Sequence, residues 1–213
     1  MKSPKLFHVG VLSVGFGNPN SVVNMFSSIG CNAYLITAES LDITKQIDLL
    51  VLPGVGSFDG AIRGISEEMR EFILAFAETK KPLLGICIGM HILFEKSEEG
   101  IEKGLSLIPG EVKRFDEETM ASYSLPIPNV GWNTVAFNQA MAVESEKLSR
   151  FYFTHSYYAQ PHSTDHIVGY STYGITFATM VRRDNIFGVQ FHPEKSNVAG
   201  QEFFKRVLGF CHE

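Results

Sequence analysis

Three features of the sequence predict a mixed α/β fold: a largely parallel central sheet flanked by helices, with an added antiparallel portion. Before Gly100, strand-like runs alternate with helix-like ones, the rhythm of parallel strands joined by crossover helices. The strand runs are continuously apolar, as in Ile47–Leu52 and Pro82–Ile86, which suits strands covered on both faces. Beyond Gly100 the runs become shorter, alternating or aromatic, which suits antiparallel pairing.

Taken in order, Leu6–Val14 reads as the first buried strand. It ends at Gly15-Phe16-Gly17-Asn18, where Asn18 is placed to cap a helix that opens with Pro19. Val22, Phe26 and Ile29 fall on one face of that helix, and Gly30 stops it. Ala33–Thr37 and Ile47–Leu52 are the second and third strands. One long amphipathic helix is expected next, burying Ile62, Ile65, Met69, Phe72, Ile73 and Phe76. Pro82–Ile86 is the fourth strand, and a helix over Ile88–Glu95 follows it. Further strands are expected near Glu111–Phe115, Trp132–Phe137, Phe151–Thr154, Ile167–Tyr173, Thr176–Val181 and Ile186–Phe191. A last helix over Ala199–Cys211 turns Phe203, Phe204, Val207, Leu208 and Cys211 inward. Without repeats, low-complexity stretches or a linker, residues 1–213 are expected to form one domain.

Composition removes several function classes. With 45% hydrophobic and 19% charged residues, the 213-residue chain has ample material for a core and does not read as disordered. Eighteen Lys and Arg against 23 Asp and Glu give a net charge of -5, so there is no global attraction for nucleic acid or an anionic membrane. Three cysteines, Cys31, Cys87 and Cys211, are too few for a disulfide framework and leave at least one free thiol. No run approaches the roughly 18 apolar residues of a membrane span, and the apolar start is too short for a secretory signal. A reducing, cytoplasmic setting is expected.

The sharpest chemical feature is Gly85-Ile86-Cys87-Ile88-Gly89, where an apolar strand meets a helix. Small residues two before and two after a nucleophile permit a sharp turn that presents its side chain at the sheet's C-terminal edge. A helix N-terminus there favours a thiolate and a developing oxyanion. The five residues alone equally describe a buried structural cysteine. Phe191-His192-Pro193-Glu194-Lys195-Ser196 follows the strand Ile186–Phe191. A thiol nucleophile needs a base, and the base needs an orienting acceptor. His192 and Glu194 supply both, so with Cys87 they complete a nucleophile, base and orienter set. Pro53-Gly54-Val55-Gly56 ends the third strand, and its glycines would let backbone N–H groups approach a reacting carbonyl. Alone it would be a tight turn.

The ordered set Pro53–Gly56, the cysteine elbow, Leu105–Gly110, Gly131-Trp132-Asn133, His155-Ser156-Tyr157 and Phe191–Ser196 resembles the class I, triad-type glutamine amidotransferases. The resemblance is strongest to glutaminase subunits of imidazole glycerol phosphate synthases. It covers nearly the whole chain, starting from Val9–Asn18. It implies that Cys87 attacks the side-chain amide of glutamine, His192 shuttles the proton and Glu194 orients it. It further implies an oxyanion hole from the N–H of Ile88 and one from the Gly54–Val55–Gly56 loop. Gly56, His91, Glu99, Ser156 and Tyr157 occupy positions that contact the glutamine. Asn18, Trp132, Asn133, Tyr152 and Lys195 match positions that line a subunit interface. The implied partner is a (β/α)8-barrel cyclase subunit that receives the ammonia; neither cofactor nor metal is implied.

Two departures stand out. His91 replaces the glutamine usual four residues after the nucleophile, and imidazole cannot reproduce an amide's donor and acceptor pair. Pro128-Asn129-Val130-Gly131-Trp132-Asn133 replaces a usual Pro-His-Met-Gly-Trp-Asn. Catalysis by the triad is unaffected, whereas substrate grip and partner choice are open to change. A paralogous glutaminase feeding a sugar-amidating enzyme of surface-polysaccharide synthesis is the second reading, and a non-catalytic scaffold the third. Gly15-Phe16-Gly17 lacks the last glycine of a dinucleotide fingerprint, with Asn20 in its place. His162 and His166 are four apart but lack a ligand cluster around them.

Overall fold

The computed structural model describes residues 6–13, 17–40, 46–138 and 149–212. Val14, Gly15 and Phe16, the end of the first expected strand and the start of its loop, lie outside them. The first half runs β1 (His8–Leu12), α1 (Pro19–Ser28), β2 (Asn32–Ile36), β3 (Leu49–Leu52), α2 (Phe58–Gly64), α3 (Glu67–Glu78) and β4 (Leu83–Ile86). The second runs α4 (Ile88–His91), β5 (Lys96–Ser97), β6 (Gly110–Arg114), α5 (Glu117–Ser122), β7 (Asn129–Thr134), β8 (Ala136–Phe137), β9 (Arg150–His155) and β10 (Tyr157–Pro161). It closes with β11 (Ile167–Tyr173), β12 (Ile175–Arg183), β13 (Ile186–Val189) and α6 (Asn197–Gly209).

The main sheet has the order β2-β1-β3-β4-β13-β12-β10-β6-β5, with β11 on β12 and β8 on β11. Its first five strands are parallel. Successive residues of a strand face opposite sides, and here both sides are covered. Val9, Val11, Val51, Leu84 and Ile86 pack in the cluster that holds Phe26 of α1 and Phe203 and Phe204 of α6. Leu50, Leu52 and Leu83 pack with Phe58 of α2 and with Met69, Ile73 and Phe76 of α3.

Four expectations need correction. The single long helix is two, because Ile65 is extended (φ -89°, ψ 112°) after Gly64, and Ser66 starts a new helix by accepting the Met69 N–H at 3.3 Å. A serine cap outweighs the continuous apolar stripe. The expected helix Ile88–Glu95 is one turn, Ile88–His91. The expected strand Trp132–Phe137 belongs to two sheets: β7 pairs only with β9 in a separate two-stranded ribbon, and β8 joins β11. β13, expected among antiparallel strands, is parallel to β4 and antiparallel to β12, so it joins the two halves. β10, which sequence reading missed, lies between β12 and β6. α6 buries Phe203, Phe204, Val207 and Leu208 as expected, while Cys211 falls in a 3-10 turn beyond it.

Candidate active site

β4 and β13 run in register, Gly85 beside Gly188 and Ile86 beside Val189, so the residues after each strand leave the sheet at the same edge. The Cys87 N–H donates to the Val189 carbonyl at 2.7 Å, tying the cysteine's backbone to the strand that leads into His192.

Cys87 itself has φ 54° and ψ -111°. Such a conformation costs a non-glycine residue on the order of 1–3 kcal/mol and persists only where the surroundings impose it. Here they do. A Cβ on Gly85 would stand 2.4 Å from the Gly89 carbonyl oxygen, and one on Gly89 would stand 1.8 Å from the Leu52 carbonyl oxygen. The spacing of the motif is therefore a packing requirement of the turn. The Met90 and His91 N–H groups bond the Cys87 carbonyl at 2.9 and 3.1 Å. With only one helical turn following, the sulfur has no long helix dipole behind it. What the turn offers is local: Ile88 and Gly89 are its first residues, and their N–H groups have no acceptor within the helix.

His192 is held by the ribbon and by the turn that follows it. Its N–H donates to the Tyr152 carbonyl of β9 at 2.9 Å, and its own carbonyl accepts from the buried Ser196 hydroxyl at 2.6 Å. α6 packs so closely behind that a Cβ on Gly200 would meet the Pro193 oxygen at 1.8 Å. His192 Nδ1 lies 2.8 Å from Glu194 Oε1, with both side chains buried. Its Nε2 has no ordinary hydrogen-bond partner and is left to Cys87. Burial works against an imidazolium here, but the interactions with Cys87 and Glu194 outweigh it and raise the pKa to about 9.

A cavity of about 270 Å³ opens at this edge. Val55, Gly56, Ile88, His91, Glu99, Ser156 and Tyr157 line it together with Cys87. Gly54 stands behind the loop, against Gly17. Pro128, Thr154 and His155 complete the wall and were not singled out as site residues in the sequence. Glu99 is half-buried, and burial pushes its pKa up against the lowering effect of the Phe58 N–H, which donates to Oε2 at 2.9 Å. A larger cleft of about 630 Å³ lies at the N-terminal ends of β4 and β13, beside Pro82 and Ile186, and contains no nucleophile and base pair.

Two buried histidines flank the cavity. His155 Nδ1 faces the Tyr157 carbonyl at 2.8 Å and must donate to it, so Nε2 accepts from the Asn129 amide at 3.0 Å. Asn129 Oδ1 in turn accepts from Asn133 at 3.2 Å. Burial, with smaller contributions from His91 and His192, brings the His155 pKa down to about 3. His91 Nε2 lies 2.9 Å from Gln190 Oε1, while Nδ1 is buried without a partner, and burial lowers its pKa to about 4. Gln190 also went unnoticed in the sequence. Its signal was there: it is a polar residue in an apolar strand run, two before His192 and so on the same side of the chain.

The interface candidates form a surface only in part. Trp132 is 43% exposed and lies edge-on to Tyr152, with ring centres 6.2 Å apart; Lys195 sits 5.7 Å over the Tyr152 ring. Asn133 points the other way, toward Asn129. Asn18 is exposed and caps α1, accepting from the Ser21 N–H at 3.3 Å. Of the two departures before Trp132, Asn129 is buried and Val130 is 57% exposed.

The family model described as "Glutamine amidotransferase class-I" matches residues 11–208. The chain is 36% identical over 204 residues to imidazole glycerol phosphate synthase subunit HisH of Geobacillus thermodenitrificans (strain NG80-2), spanning 94% of this chain and 95% of that one. It is 39% identical over 197 residues to the protein of the same name from Thiobacillus denitrificans (strain ATCC 25259 / T1), spanning 90% and 86%. Among solved structures, "Structure of PurLQS from Thermotoga maritima" superposes with a TM-score of 0.74 at 16% identity over 97% of this chain and 99% of that one, a likeness of fold alone. The strained cysteine turn and the histidine behind β13 thus lie within a match that spans almost the whole sequence, and the chain belongs to the class-I glutamine amidotransferases.

Proposed function

We propose that the chain, as a single amidotransferase domain, hydrolyses glutamine to glutamate and ammonia and delivers the ammonia to a (β/α)8-barrel cyclase subunit. The cyclase would make imidazole glycerol phosphate and an aminoimidazole carboxamide ribotide in histidine biosynthesis. The observation that carries this reading is Cys87 on its strained turn, facing a histidine whose far nitrogen is bound to Glu194 at 2.8 Å. The names carried by the relatives at 36–39% identity support the choice of acceptor.

The chemistry follows from the geometry. The Cys87 thiolate attacks the side-chain carbonyl carbon of glutamine, and the carbonyl π pair moves onto oxygen. N–H groups of Ile88 and of the Gly54–Gly56 loop would receive that oxyanion, a class of contact in which each donor is worth about 2.7–4 kcal/mol. The C–N bond then breaks as His192 passes its proton to the leaving nitrogen, releasing ammonia and a glutamyl thioester. Neutral His192 takes a proton from water, the hydroxide displaces sulfur, and glutamate leaves with the thiolate and imidazolium restored. Glu194 keeps Nδ1 protonated throughout. Glu99 in the cavity wall supplies a carboxylate for the substrate's ammonium.

Trp132, Val130, Tyr152 and Lys195 form the surface assigned to the cyclase; an exposed aromatic cluster with a cation beside it is a suitable anchor. All three cysteines are free thiols, which fits a reducing, cytoplasmic setting. Among the described residues no helix is long and apolar enough to cross a membrane.

The test is glutamate release with and without saturating cyclase subunit. Turnover should be low alone and high in the complex, and Cys87→Ala should abolish it. External ammonia should restore cyclase product in the Cys87→Ala complex. Product formation by that variant with neither glutaminase activity nor added ammonia would overturn the reading and leave a scaffold.

A further inference from the structure

By resemblance His91 would touch the substrate, but one of its two ring nitrogens is committed elsewhere. Nε2 is bonded to Gln190 at 2.9 Å, and Nδ1 is buried without a partner. Gln190 is wholly buried behind the nucleophile, with its backbone fixed by the Thr179 carbonyl at 2.9 Å. Its side-chain carbonyl faces His91 Nε2, and its amide nitrogen lies 4.0 Å from the Cys87 sulfur, at the long end for a hydrogen bond to sulfur. A carbonyl oxygen only accepts, so His91 must donate from Nε2. The rotated alternative would need the proton on Nδ1, where it would be a buried donor with no acceptor, so the pairing favours the orientation that turns the Gln190 N–H toward the thiol. A rotated amide would place a carbonyl oxygen against the sulfur, where a thiolate would repel it.

We propose that Gln190 belongs to the catalytic machinery, its amide N–H stabilising the Cys87 thiolate, and that His91 is the positioning residue that holds the amide in that orientation. The inference rests on Cys87 being the nucleophile and refines how it is kept ready. A glutamine at position 91 can also donate to Gln190 Oε1, so the replacement keeps this contact while changing its shape. The titratable groups around the sulfur and its cavity are His192 with Glu194, the neutral histidines His91 and His155, and Glu99 and Tyr157 in the wall. Of these, His192 carries the proton that pairs with the thiolate, and the Gln190 N–H supplies a second, uncharged donor. Hydrogen bonding to the charged form of a group favours that form.

The experiment measures the pH dependence of Cys87 alkylation by iodoacetamide, resolved from Cys31 and Cys211 by peptide mass spectrometry. It needs neither glutamine nor the cyclase. Gln190→Met keeps the size but removes the donor, and should move the Cys87 midpoint up by roughly one pH unit. His91→Ala should move it the same way by less, His91→Gln should restore it, and the double variant should be no worse than Gln190→Met alone. In the cyclase complex, kcat should fall in the single variants with KM for glutamine nearly unchanged. Midpoints unchanged in both single variants, or a KM increase in His91→Ala with kcat intact, would overturn the proposal and return His91 to direct substrate contact. If Gln190→Met does not fold, the His91→Ala and His91→Gln pair carries the same comparison. Loss of turnover in Cys87→Ala is a separate result, so failure of the thiolate proposal and failure of the amidotransferase reading are told apart.

Discussion

The Cys87 turn and the β7–β9 ribbon both line one cavity and are built on opposite terms. The turn is locked from every side: its backbone is bonded to β13, and its flanking glycines stand where no methyl group fits. The ribbon is two strands outside the main sheet, and it leaves Val130 and Trp132 in solvent. Two-stranded ribbons are marginal by themselves. This one is fastened inward through His155, whose Nδ1 bonds the Tyr157 carbonyl of β10, and through the backbone bond from His192 to Tyr152. The difference teaches where each task resides. The Cys87 turn is preassembled within the chain, while the ribbon combines a surface suited to a partner with a direct attachment to His192.

If that division is right, changes at the turn should remove chemistry without touching assembly. Cys87→Ala should cut glutamate release in the complex by on the order of 10⁶-fold, with cyclase binding intact. Glu194→Ala should cost less, on the order of 10⁴-fold, because an unoriented His192 still removes and returns some protons. Single-turnover kinetics on the two variants would check the ranking. Equal losses would mean that Glu194 does more than orient.

The ribbon should behave in the reverse way. Trp132→Ala removes a large, partly exposed anchor whose only ring contact within the described residues is Tyr152 of the same ribbon. We expect cyclase affinity to fall by about 2 kcal/mol, close to thirtyfold, with the thermal midpoint of the isolated chain shifted little. Titration calorimetry and a melting curve separate the two effects. A large drop in the melting midpoint would show that Trp132 holds the ribbon together, and would blur the contrast.

The same contrast governs what could be read from sequence. The elbow was legible because its pattern is local: Gly85, Cys87 and Gly89 lie within five residues, although only Gly85 answers to atoms of the turn itself, while Gly89 answers to Leu52 of β3. His192 and Glu194 were legible for the same reason, being two residues apart. The early parallel strands announced themselves by apolarity on both faces. The break at Ile65 was hidden because the apolar stripe continues across it, although Ser66 was available as a cap. Gln190 and His155 were harder still. Their roles depend on His91 and Asn129, which are 99 and 26 residues away, and no periodicity encodes such pairings. The split of Trp132–Phe137 between two sheets is likewise decided by partner strands rather than by those six residues.

The buried histidines give the finest test, because each region holds one: His91 in the turn and His155 at the root of the ribbon. Both start from an ordinary value of 6.5 and are brought down in the folded chain, to about 4 and about 3. Between pH 6.5 and those values the unfolded chain binds protons that the folded chain does not, so stability must fall as pH falls. The structure shows why protonation is resisted. A second proton on His155 would face the Asn129 amide donor, and one on His91 would sit on a nitrogen with no acceptor. His192, with its pKa at about 9, is protonated in both states below pH 6 and adds no slope there. Each neutral histidine therefore contributes about 1.4 kcal/mol per pH unit, and going from pH 6 to pH 5 should cost roughly 2–3 kcal/mol together. Urea unfolding at the two pH values measures this. His91→Gln and His155→Gln should each remove about half of the slope. A full slope in the His155→Gln protein alone would mean that the ribbon opens locally to admit the proton, making it less firmly fastened than its hydrogen bonds imply.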